Sequence, residues 1–91
     1  MIKGSHLCSV VFEYAKEKRI VHQTIEFLEQ HLGDGFKTNK KIWILVAELY
    51  CEEGKFNKSL LIMIGLMKHY GKDPFLMYYR ARYMFKLMAI R

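Results

Sequence analysis

The sequence predicts an all-α fold in which antiparallel helical hairpins are followed by a C-terminal helix. Three observations carry that expectation. Apolar residues recur at steps of three and four, glycines and one Asp-Pro pair punctuate them, and no strand-like alternation competes. The first helix is expected over about 5–18, with Leu7, Val10, Val11 and Tyr14 on one stripe. The second, about 21–32, carries Ile25, Phe27, Leu28 and Leu32 and stops at Gly33-Asp34-Gly35, glycine being the usual helix terminator. The third, about 39–53, carries Ile42, Trp43, Val46, Ala47, Leu49 and Tyr50 up to Gly54. The fourth, about 57–70, is read as opening on a capping Asn57 and closing at Gly71. Asp73-Pro74 then supplies the N-cap and first helical residue of a fifth helix, about 74–90.

Ninety-one residues accommodate one domain, 1–91. Apolar classes make up 52% before glycine is counted, whereas an average soluble domain reaches roughly 45–50% with glycine included. A chain this short buries only roughly 60–65% of its unfolded surface, so a partner is expected to cover part of the apolar material. The composition excludes disorder and, with 2 cysteines, a disulfide scaffold. The unbroken apolar run 60–67 falls far short of the ~20 residues of a membrane span. The start, Met-Ile-Lys-Gly-Ser-His, lacks the pattern of an export signal, so a cytoplasmic location with reduced Cys8 and Cys51 is expected. Charge is uneven. Residues 1–54 hold 7 Lys/Arg against 8 Asp/Glu, while residues 55–91 hold 8 Lys/Arg against Asp73 alone. That asymmetry fits a nucleic-acid or acidic-protein partner, and equally a solvated helical face.

Only a few residues separate the first helix from the second and the third from the fourth, which forces antiparallel neighbours. Internal spacing supports two copies of one hairpin. Leu7 and Trp43, Val10 and Val46, Val11 and Ala47, Tyr14 and Tyr50, Ile20 and Phe56, and Phe27 and Met63 all lie 36 residues apart.

The segment from Ile42 to Phe56 resembles helix A and the turn of a tetratricopeptide repeat. Trp43 stands at its large N-terminal position, Ala47 at its small position, Tyr50 at its aromatic position, and Gly54-Lys55-Phe56 at its glycine-x-aromatic turn. Asp73-Pro74 resembles its closing proline. Ser59 stands where that repeat usually has alanine, and the first hairpin has Lys18-Arg19-Ile20 in place of the glycine turn. Across most of the chain the layout is similar to small cytosolic chaperones of bacterial type III secretion needle subunits. The matching features are Leu7–Ala15, Thr24–Leu32, Gly54-Lys55-Phe56 and Pro74-Phe75-Leu76-Met77-Tyr78-Tyr79. The resemblance implies a virulence-associated protein-transport chaperone that cups the C-terminal helix of a needle subunit and keeps it monomeric before export. It also implies a small helical-hairpin co-chaperone seated on the first helix.

In that register the tetratricopeptide pattern puts Ser5, Cys8, Phe12 and Ala15 on the concave face, followed by Ile44, Glu48 and Cys51. Carried past Pro74, it adds Phe75, Tyr78, Arg82 and Phe85. The partner-binding groove is accordingly assigned to Cys8, Phe12, Ile44, Cys51, Phe75, Tyr78, Arg82 and Phe85. Trp43, Ala47, Tyr50, Leu7, Val11 and Tyr14 are assigned to the scaffold. Each exposed Phe or Ile forgoes roughly 1.5–3 kcal/mol of burial, so such a face invites aggregation until an amphipathic helix covers it. The 6 methionines suit an adaptable partner surface, although ordinary core packing accounts for them as well.

Catalytic and metal chemistry find no motif. His6 and Cys8 form the one close pair, and His22, His31, Cys51 and His69 lack zinc-site spacing. The carboxylate groups Glu26/Glu29 and Glu48/Glu52/Glu53 come without a Glu-x-x-His partner and read as solvated faces. With no phosphate loop, nucleophile elbow or Ser/His/Asp set, no enzymatic activity, metal or cofactor is expected. Two other readings remain beside the chaperone. One is a tetratricopeptide adaptor for a different protein. The other is nucleic-acid binding through Lys68, Lys72, Arg80, Arg82, Lys86 and Arg91 interleaved with Tyr70, Tyr78, Tyr79 and Tyr83, against which stands the lack of a helix-turn-helix pattern.

The groove assignment has a direct test. Phe85→Asp is expected to abolish partner capture in a pull-down while circular dichroism retains wild-type helicity. Loss of helicity would make Phe85 a core residue and the register wrong.

Overall fold

The chain folds into five α-helices, α1 (Gly4–Glu17), α2 (Val21–Leu32), α3 (Lys40–Glu52), α4 (Phe56–Tyr70) and α5 (Pro74–Ala89). The computed structural model describes residues 4–33 and 39–89, with side chains from Cys8 onward. Asp34, Gly35, Ile90 and Arg91 lie outside the described residues, as do the side chains of Ser5, His6 and Leu7. No strand occurs among the described residues, and none of their helices is long and apolar enough to cross a membrane. All five helices stand where the hydrophobic spacing puts them, with two shifts at the ends. Asn39 is the N-cap of α3 rather than its first residue, and Lys55 is the N-cap of α4, leaving Asn57 inside the first turn.

The two hairpins are related by 35 residues, not 36. Both turns are built identically. Ile20 N–H donates to Ala15 and Lys55 N–H to Tyr50, while Arg19 N–H donates to Lys16 and Gly54 N–H to Cys51. Arg19 (φ 57°) and Gly54 (φ 79°) occupy the same left-handed position, which glycine tolerates and arginine enters at some cost. Thr24 and Ser59 follow in register, Thr24 donating its hydroxyl to the Ile20 carbonyl at 2.7 Å and Ser59 holding its oxygen 3.5 Å from the Lys55 carbonyl. A slip of one residue rotates every helical position by about 100°. Val10, Tyr14 and Phe27 are 49%, 55% and 59% exposed although Leu45, Leu49 and Ile62, 35 residues on, are buried, because α3 and α4 have helices on both sides whereas α1 and α2 pack on α3 and each other at the end of the stack. Tyr14 is therefore not a scaffold residue. α5 follows α3 at a spacing of 34, since Lys40 and Pro74 each open their helix and Trp43 and Met77 each make the first backbone bond to the cap.

The core is centred on α3, which packs against α1, α2 and α4, while α5 packs on α4. Trp43, Leu45, Val46, Ala47, Leu49, Tyr50 and Cys51 of α3 are all buried. They meet Ile62, Met63 and Leu66 of α4, Leu76 and Tyr83 of α5, Ala15 of α1 and Ile25 of α2. Ser59 is the one buried polar side chain among the described residues, and its hydroxyl donates to the Ala47 carbonyl at 2.6 Å. That bond is possible because Ala47 keeps the two helices close, and it satisfies a hydroxyl that would otherwise be costly to bury.

Asp73 fixes the start of α5. Its Oδ1 accepts from the backbone N–H groups of Phe75 (2.8 Å) and Leu76 (3.4 Å), and its Oδ2 accepts from the Lys40 ammonium at the start of α3. The hydrogen bond from Lys40 holds the Asp73 carboxyl below its ordinary range. A depressed folded-state pKa contributes stability above the unfolded value of ~3.9, lost as pH falls through the folded one. Asp73→Asn is accordingly expected to lower Tm at pH 7 and to shrink the drop in Tm between pH 5 and pH 2.5. An unchanged acid limb in thermal melts would remove Asp73 from this role.

Candidate groove for a helical partner

α1 and α5 stand on either side of α3, and between the three helices opens a groove of ≈ 530 Å³. It is lined by Cys8, Ser9 and Phe12 from α1, Lys40, Lys41, Ile44, Leu45 and Glu48 from α3, and Phe75 and Tyr79 from α5. The Cys8 thiol donates to the Lys41 carbonyl at 3.7 Å, tying α1 to the first turn of α3. Burial pushes the thiols of Cys8 and Cys51 above their ordinary range, although Lys41 partly offsets this at Cys8. Cys8 lines the groove and Cys51 lies in the core, and raising their thiols favours the neutral form of both.

Four of the assigned residues, Cys8, Phe12, Ile44 and Phe75, line the groove together. The other four do not. Cys51 and the concave-face candidate Ala15 are buried in the core. Tyr78 and Phe85, 63% and 74% exposed, carry the apolar surface of α5 beyond the groove. Arg82 is half-buried and paired with Glu48. Sequence reasoning missed Leu45 and Tyr79. Tyr79 stacks on buried Tyr83 (ring centroids 6.1 Å, interplanar angle 25°), and this stacking points it inward.

Glu48 is the electrostatic centre of the site. Its Oε1 accepts from the Arg82 guanidinium and, at 2.6 Å, from the Tyr83 hydroxyl. Burial and this hydrogen bond push the Tyr83 phenol far above its ordinary value, and burial also raises Tyr79. The carboxylate is thus neutralised by α5 rather than offered to a ligand. Lys40 is likewise engaged, by Asp73 and over the Tyr70 ring at 5.3 Å. Lys41 is the exposed cation on the rim. No three His, Cys, Asp or Glu side chains among the described residues come together as a metal site.

A scan against protein-family models finds no match, and searches of curated proteins and of solved structures return no similar protein.

Two tyrosines that look alike in the sequence are expected to behave differently. Tyr83→Phe removes a buried bond to a charged group and is expected to cost about 1.5–3 kcal/mol in urea denaturation. Tyr79→Phe, with no hydroxyl partner at stake, is expected to stay within about 0.5 kcal/mol.

Proposed function

We propose that this protein is a cytoplasmic, non-catalytic chaperone that sequesters an amphipathic helix in the groove between α1, α3 and α5. Its client belongs to the class of type III secretion needle subunits, held monomeric before export with a small helical-hairpin co-chaperone. The observation that carries this reading is an apolar groove with no catalytic constellation. Ile44 and Leu45 form its floor, and Phe12, Phe75 and Tyr79 flank it. An amphipathic helix placing apolar residues at i, i+3, i+4 and i+7 matches such a surface. The resemblance to the needle-subunit chaperones supports the client class, and the apolar excess of a 91-residue chain supports the need for a client at all.

Nucleic-acid binding is less well supported. Arg82, which that reading counts among its phosphate-binding cations, is neutralised by Glu48. A tetratricopeptide adaptor for another protein uses the same groove and differs only in the helix it holds.

Co-expression with neighbouring open reading frames, followed by size-exclusion chromatography, tests the proposal. The expected result is aggregation of the chain alone and a discrete complex with one or two small helical proteins. Ile44→Asp is expected to abolish that complex. A monomer without such companions and with strongly salt-dependent RNA affinity would overturn the reading.

A further inference from the structure

The outer face of α5 matches in part the surface that α4 covers on α3, with Arg80 standing where α3 has the buried Val46. At the spacing of 34 that aligns the starts of the two helices, Trp43, Ala47 and Tyr50 correspond to Met77, Ala81 and Met84. On α3, Ala47 and Tyr50 touch α4, and the Tyr50 hydroxyl also donates to Glu29 of α2 at 2.8 Å. The Ser59 hydroxyl reaches the Ala47 carbonyl at 2.6 Å, and the Lys58 ammonium sits 5.3 Å over the Tyr50 ring. The opposite edges match as well. Leu45 and Leu49 are buried on α3, and Tyr79 and Tyr83 turn inward at the same positions of α5. α5 packs on α4, and among the described residues no other helix packs closely on its remaining edge. Met77, Met84 and Met88 are 41%, 44% and 70% exposed, and Ala81 lies exposed among them.

Charge selects the occupant. Neither α4 nor α5 contains an acidic residue, and the acids that reach α5, Asp73 and Glu48, are held by Lys40 and by Arg82 with Tyr83. Arg80 lies one turn from Met84, and among the described residues no acid pairs with it. A second copy of this face would set Arg80 against its own like, so self-association is opposed. We infer that the Met77–Ala81–Met84–Met88 stripe is a second docking site, distinct from the groove. It takes an acidic-flanked amphipathic helix of another protein, crossing at a small residue over Ala81 as Ser59 of α4 crosses Ala47. The inference does not depend on the identity of the groove's client.

A labelled peptide with the sequence of residues 56–70, carrying Glu in place of Lys58, Lys68 and His69, is the probe. In fluorescence anisotropy with the full chain, Ala81→Arg and Met88→Glu are each expected to weaken its binding at least tenfold. Ala81→Ser and the groove variant Ile44→Asp are expected to stay within twofold, and the unmodified 56–70 peptide to bind at least fivefold more weakly. Both disruptive positions are exposed, so circular dichroism should be unchanged. Absent binding, binding indifferent to both stripe variants, or binding lost with Ile44→Asp would overturn the inference. So would a dimer in sedimentation equilibrium that Ala81→Arg dissolves, because the occupant would then be a second copy.

Discussion

The close approach of α3 and α4 at Ala47 and Ser59 sets the geometry of everything else. A methyl group on one helix and a hydroxymethyl on the other let the backbones come near enough for a side chain to bond the facing carbonyl at 2.6 Å. α5 rests on α4, so a bulkier residue at either position would displace α5 along with α4. The groove between α1, α3 and α5 would change width although neither residue lines it. A contact outside the site therefore fixes the site, as expected of close-packed interiors that transmit displacement rather than absorb it.

The second constraint is the half-buried Glu48. Removing a carboxylate from water is costly unless it is paired and hydrogen-bonded. Here α5 supplies both an arginine and a phenol to the same oxygen. The arrangement holds α5 in rotation about its axis, because Arg82 and Tyr83 must both face α3. With that rotation fixed, Phe75 and Tyr79 turn toward the groove, while Met77, Ala81 and Met84 turn away from the body of the protein. The rim cations that look interchangeable in the sequence are thereby divided into those spent on internal acids, Lys40 and Arg82, and those left exposed, Lys41 and Arg80.

The helices were legible because their ends are chemically marked, by Gly54, Gly71 and Asp73-Pro74. The relation between the hairpins was not, because the first turn places Arg19 where the second has glycine. With no glycine to align on, apolar matches chose a spacing one residue too long. The hydroxyl pair Thr24 and Ser59 was the signal for the true spacing, since each stands four residues after the turn residue whose carbonyl it approaches. In the groove, Ile44 and Phe75 were recoverable from repeat positions alone. Cys51 was not, because the Arg82–Glu48 bridge draws α5 over it, and no local pattern announces a long-range ion pair. Tyr79 was missed for the related reason that its inward turn is set by stacking on Tyr83.

The apolar excess in the composition can now be placed. Part of it lies along the groove at Phe75 and part along the outer edge of α5 at Met77, Met84 and Met88, while Val10, Tyr14, Phe27, Leu61 and Ile64 expose the rest on the other helices. An alternating stack of helices explains why the two occur together. Each helix in such a stack has one edge against its predecessor and one toward its successor; α3 and α4 have both filled, whereas α5 packs closely on α4 alone. α5 carries the successor edge in part, with Ala81 at the place of Ala47 and Met77 and Met84 beside it. A surface selected only for solubility would have lost that pattern to charged residues, because nothing within the described fold needs Met77, Ala81 or Met84. Its persistence beside uncompensated positive charge is the physical argument that a helix of opposite charge completes the stack.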